Sequence, residues 1–190
     1  VNLTGGPYKH NGGDMPAMGT ANHAIQPAEQ IKPGRNLEDA QALLASYWGS
    51  GSSGRSSGSG GSGFSRDSAA TFVDPESALA AARRFRTWVD KKFAPKCTLI
   101  EYPLVHVLAD GRTVRGWIDV LLETESGLVI IDHKSSPRPK DEWSAEALEH
   151  SGQLAVYAQA LAAAGKKVAG CWIHFPVSGG AAAVEIAKSQ

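Results

Sequence analysis

Gly116-Trp-Ile-Asp-Val-Leu-Leu-Glu-Thr-Glu-Ser-Gly-Leu-Val-Ile-Ile-Asp-His-Lys134 reads as two apolar strands hinged at Glu125-Ser126-Gly127. The first strand is predicted near Val114 to Leu122 and the second from Leu128 to Lys134. Gly116 to Leu122 is apolar but for Asp119, and Leu128 to Lys134 is apolar until it ends in two charged side chains, Asp132 and Lys134, separated by one residue. Side chains alternate along a strand, so Asp132 and Lys134 share a face. A register in which paired residue numbers sum to 251 is permitted by the short turn and sets Asp119 opposite Asp132. Two carboxylates ~5 Å apart on an apolar sheet repel one another unless something neutralises them. A hard divalent cation does so with oxygen ligands and retained water. Lys134 cannot ligate it, but its ammonium can hold a phosphate oxygen or an attacking water. This equipment suits phosphodiester hydrolysis. The competing reading makes Asp132 and Lys134 solvent-facing strand ends and pairs Asp119 with Arg112 or Arg115.

Working outward, a strand near Leu99 to Leu108 precedes an Asp110-Gly111 turn, making a three-stranded meander. Upstream, Asp74-Pro75-Glu76 is a strong helix start, with Leu79, Ala82, Phe85, Trp88 and Val89 at helical spacing and Pro95 marking the end. Downstream, a long helix from about Ser144 to Ala164 leads to strands at Val168 to Pro176 and Ala182 to Ala187, turning at Ser178-Gly179-Gly180. Asn36 caps a helix from Leu37 to about Trp48 with an apolar stripe of Leu37, Leu43, Leu44 and Trp48. Earlier still, Gly19-Thr-Ala-Asn-His23 is a helical turn that Pro27 interrupts. The expected architecture is a sheet with helices packed against it, α/β or α+β.

Residues 49–63 read GSGSSGRSSGSGGSG, without an apolar side chain, and behave as a flexible linker. So clean a tract resembles an engineered replacement for an excised insertion. Its root-mean-square span is on the order of 20 Å, so the flanking segments fit one domain covering residues 1–190.

A hydrophobic fraction of 42% over 190 residues suits a globular protein with one core. No apolar run is long enough to cross a bilayer and no secretory pattern opens the chain, so the expectation is a soluble, cytoplasmic protein with no membrane partner. Cys97 and Cys171 lack metal-ligand spacing and read as reduced core residues. Nineteen Lys plus Arg balance nineteen Asp plus Glu, so affinity for nucleic acid must be local or supplied by a partner. Basic residues cluster at Arg83, Arg84, Arg86, Lys91 and Lys92, which also fits a solvated helix face, and at Lys134, Arg138 and Lys140. His10, His106, His150 and His174 show no ligand spacing with one another, and no phosphate-binding Gly-x-x-x-x-Gly-Lys loop is present.

Taken in order, Gly19-Thr-Ala-Asn-His23, Gly116-Trp-Ile-Asp119, Ile130-Ile-Asp132-His-Lys134 and Gln153-Leu-Ala-Val-Tyr157 resemble four elements of the PD-(D/E)XK nuclease superfamily, in its RecB/AddA-like branch. The resemblance covers the chain outside the linker. It implies a restriction-endonuclease-like mixed central sheet flanked by helices, and Mg2+ or Mn2+ held by His23, Asp119, Asp132 and the backbone carbonyl of His133. The His133 imidazole has no assigned chemistry. Lys134 would position water and stabilise the transition state, and Gln153 and Tyr157, one helical turn apart, would orient the lysine, metal waters or DNA backbone. Glu101, in Glu-Tyr-Pro, also resembles a glutamate of the family and stands outside this expected set. The implied activity is hydrolysis of DNA, single-stranded in this branch, by a module working with a helicase in repair and recombination. The rival reading is a catalytically inactive nuclease-like module for DNA binding or assembly, and a further one is a phosphodiesterase of small nucleotides.

Overall fold

The computed structural model describes residues 1–3, 15–49, 73–108 and 110–186. Of the linker expected at 49–63, all but Gly49 lies outside them, as does His10. Five strands form one sheet: β1 (Cys97–Val107), β2 (Thr113–Thr124), β3 (Gly127–His133), β4 (Val168–Phe175) and β5 (Gly180–Val184). They lie in sequence order, and only the β3/β4 pair is parallel. The sheet is therefore mixed: a meander, then a crossover, then a hairpin. Pro103 sits within β1, which tolerates it because an edge strand has one row of amides that needs no partner.

Helices α1 (Met15–Ile31), α2 (Leu37–Gly49) and α3 (Pro75–Phe93) precede the sheet. A 3-10 turn (Lys140–Glu142) and helices α4 (Trp143–Glu149) and α5 (Ser151–Ala163) make the crossover. The sequence expects one helix from 144 to 164; the chain instead breaks at His150, beside the weak helix former Gly152. The starts of α2 and α3 follow expectation. Asn36 Oδ1 accepts the Asp39 amide at 2.8 Å while Asp39 Oδ2 accepts the Asn36 amide at 3.2 Å. Asp74 Oδ2 accepts the Ser77 amide at 3.0 Å. On the expected apolar stripe of α2, Leu44 is buried as expected but Leu37 is exposed, and Ala40 joins the contact.

The expectation that Pro27 ends the His23 helix is overturned: α1 runs through it to Ile31. Proline costs a helix one N–H bond, here to the His23 carbonyl, and a clash one turn back. Packing outweighs that loss, because Ala21 and Ile25 are buried with Ala40 and Leu44 of α2 and Leu79 and Ala82 of α3.

Two further clusters fill the faces of the sheet. On one face Leu121, Ile130 and Ile173 pack with Leu154, Tyr157 and Leu161 of α5. On the other Val120, Leu122, Val129 and Ile131 pack with Phe85 and Val89 of α3. Cys171 is buried in the first cluster, its thiol pushed up to about 11 by desolvation, whereas Cys97 is only half-buried.

Candidate metal and phosphate site

Pairing of β2 with β3 runs from Thr124↔Gly127 to Val120↔Ile131, the register whose numbers sum to 251. The ladder stops one step short of Asp119 and Asp132. In place of the next rung, Asp119 Oδ2 accepts the His133 amide at 2.7 Å. Strict alternation also fails here: Ile118 and Leu121 both face the α5 cluster, so β2 turns between them. Its neighbour β1 turns in step, since Ile100↔Val120 and Tyr102↔Ile118 keep one register while Glu101 between them takes φ 50. A non-glycine residue in that region is strained, and such strain recurs at functional positions.

The turn gathers a ligand set. His23 of α1, Glu101 of β1 and Asp119 of β2 offer ligand atoms all within 4.8 Å of one another. His23 Nδ1 lies 3.8 Å from Glu101 Oε1. Glu101 stood outside the expected ligand set although Glu-Tyr-Pro resembles a family element, and its approach to Asp119 depends on the β1–β2 register. Asp132 lies outside this trio, its Oδ2 being 2.7 Å from Lys134 Nζ. Burial holds the carboxyls of Asp119, Asp132 and Glu101 above their ordinary range, and the charge of Asp119 raises the latter two further. Carboxylates and one imidazole in a crowded, partly desolvated corner fit a divalent cation that accepts oxygen and nitrogen ligands.

Lys134 is held from two sides. Besides Asp132, Gln153 Oε1 of α5 accepts from its Nζ at 3.3 Å, and Gln153 Nε2 donates to the Tyr157 hydroxyl at 2.9 Å. Tyr157 is thus a core aromatic with a polar tip. Its hydroxyl approaches Gly116 so closely that a Cβ there would sit 2.6 Å from the oxygen. Gly116→Ala is therefore expected to displace Tyr157, release Gln153 and lower kcat about tenfold or more, as loss of an outer support does. Tyr157→Phe should lose the same contact, so the pair of variants measured together should cost no more than either alone.

The His133 ring points away from Asp132, as alternation requires. Its Nδ1 meets His174 Nδ1 at 2.8 Å, and Phe85 stacks on His174 with ring centroids 4.2 Å apart. Burial drives the His133 pKa down to about 4 and that of His174 well below its ordinary value. Both rings are neutral in the fold and take up protons on unfolding, so the unfolded state binds more protons between about pH 4 and 6.5. Stability should therefore fall as pH is lowered through that window, and His174→Phe should flatten the slope in a pH series of thermal melts.

Among the described residues Asp119 pairs with neither arginine of the competing reading: Arg112 binds Asp110 at 2.7 Å, and Arg115 has no ion pair there. The first basic cluster is largely engaged in structure. Arg86 Nη1 caps the end of α1 at the Gln30 carbonyl (3.1 Å), Arg83 binds the Arg35 carbonyl, and Lys92 lies 4.7 Å from the Trp172 ring centroid. Next to Lys134 a cleft of about 480 Å³ opens between Ser135, Ser136, Arg138 and His150. Asn22 Nδ2 of α1 ties to Ser135 Oγ at its wall, 2.8 Å away.

The mixed five-stranded sheet, flanked by helices, thus brings carboxylates and a lysine to one corner. The profile of the PD-(D/E)XK nuclease superfamily matches residues 8–188, and the chain belongs to that superfamily. Its members are typically metal-dependent nucleases, with divalent ions as cofactors and DNA as substrate. Comparison with curated proteins gave no match. No helix among the described residues is long and apolar enough to cross a membrane.

Proposed function

We propose that the chain is a divalent-metal-dependent deoxyribonuclease, a single domain over residues 1–190 whose tract at 49–63 replaces an insertion. The observation that carries the reading is the meeting of His23, Glu101 and Asp119 beside the Asp132–Lys134 pair. In this reading Mg2+ or Mn2+ is held by His23, Asp119, Asp132 and the His133 carbonyl, with Glu101 added to the set. The bound cation would polarise the phosphate and lower the pKa of its water.

The protein's own groups then have separate tasks. Lys134 Nζ holds a non-bridging phosphate oxygen and stabilises the charge that grows on it. Asp132 aims the lysine, and Gln153, steadied by Tyr157, keeps its amine from swinging into solvent. Support comes from the order of the four motifs, which also favours the RecB/AddA-like branch, single-stranded DNA and a cytoplasmic helicase partner in repair and recombination. A neutral net charge accords with a motor that delivers the strand.

The test is incubation with labelled single-stranded DNA in magnesium, manganese or chelator. Metal-dependent cleavage is expected. Metal-dependent stabilisation without cleavage would instead make the chain a binding module, and cleavage of a chromogenic diester but not DNA would move the substrate to small nucleotides.

A further inference from the structure

The β1–β2 hairpin continues past the end of β3 and carries exposed apolar side chains. Trp117 is 58% exposed, Val105 66% and Val107 60%. The register sets Pro103 opposite Trp117 and Val105 opposite Arg115, so these residues form one strip. Gly116 abuts Tyr157 of α5, so the next side chain, Trp117, faces away from α5. Asp119 lies two residues farther along the same strand, a rise of ~6.6 Å. That is comparable with the step between bases in an extended single strand.

Trp117 differs from the other tryptophans described. Trp143 is buried against Phe175, and Trp88 and Trp172 pack on each other and on Phe93. Among the described residues Trp117 has no ring partner, and the neighbouring Arg115 is exposed and has no ion pair. A large flat ring left in water beside an unneutralised cation, on the strand that leads to Asp119, matches base stacking combined with a phosphate contact. A protein partner would find the middle of the strip occupied by a charge, which interface cores avoid.

We propose that Trp117 is a stacking platform for a base of single-stranded DNA on its path to the site, with Arg115 holding the adjoining phosphate. The proposal rests on the nuclease reading for the identity of its ligand. Stacking tolerates any base, so the platform sets strand path and affinity rather than sequence preference.

The experiment is fluorescence anisotropy of a labelled oligo-dT in chelator with the intact chain, Trp117→Ala, Trp117→Phe and Arg115→Ala. Loss of about tenfold or more in affinity is expected for Trp117→Ala, with most of it retained in Trp117→Phe. Arg115→Ala should reduce the slope of log affinity against log salt by about one. An abasic residue moved along the oligonucleotide should find one position whose penalty disappears in Trp117→Ala, because both changes remove the same contact. Equal affinity of Trp117→Ala and the unaltered chain, or abasic penalties that add to it at every position, would overturn the platform. Binding that depends on Trp117 without any metal-dependent cleavage would leave the platform standing and remove the nuclease reading.

Discussion

Lys134→Ala is expected to lower kcat for DNA cleavage by about 10²–10³ with little change in metal affinity or melting temperature, the usual effect of removing one donor aimed at developing charge. Its side chain is part-exposed and, among the described residues, its Nζ is engaged by Asp132 and Gln153, so truncation leaves no apolar cavity. Asp132 would lose its nearest cation, and its carboxyl, already raised by burial and by Asp119, would rise further. Cleavage by Lys134→Ala should consequently shift to higher pH. Full activity in this variant would place the reaction elsewhere in the molecule. Lys134→Arg should restore little, because a planar guanidinium cannot reproduce the point charge between Asp132 and Gln153.

The second large effect concerns stability. Phe85 is fully buried on α3, stacked on His174, edge-on to His133 at 4.9 Å and 5.9 Å from Trp88. Phe85→Ala should cost about 3–5 kcal/mol, read as a shift in urea midpoint. The ring supports the underside of the β3 segment whose upper side carries Asp132, so activity should fall before the midpoint is reached. A cost below about 1 kcal/mol would mean that the His133–His174 pair packs without it.

Most of the sheet was legible because alternation and turn chemistry are local: the β2–β3 register is one that the short turn at Glu125-Ser126-Gly127 permits, and Asp74-Pro75 starts α3 at the expected residue. The site was less so, and for identifiable reasons. Glu101 joins it only through the β1–β2 register and a left-handed backbone that no propensity assigns to glutamate. The turn in β2 at Asp119 depends on Asp119 taking the His133 amide, a long-range bond invisible to periodicity. Pro27 misled because a local rule forbids what burial of Ala21, Ala24, Ile25 and Ala28 sustains. Asp132 and Lys134 were expected on one face by alternation and lie 2.7 Å apart, with Gln153 over the lysine.

His23 reaches the site on a helix whose apolar contacts are chiefly with α2 and α3, while the carboxylates belong to the sheet. In the proposed site the ligands would thus come from two parts, joined by the packing of Phe85 and Val89 of α3 on the sheet. Opening of the helical part would scatter the ligand set while the strands stay paired, so occupancy of the ion reports on docking. Added metal should therefore slow amide exchange in α1 more than in β2 or β3, and the ion would act as a latch between the two parts as well as a reagent.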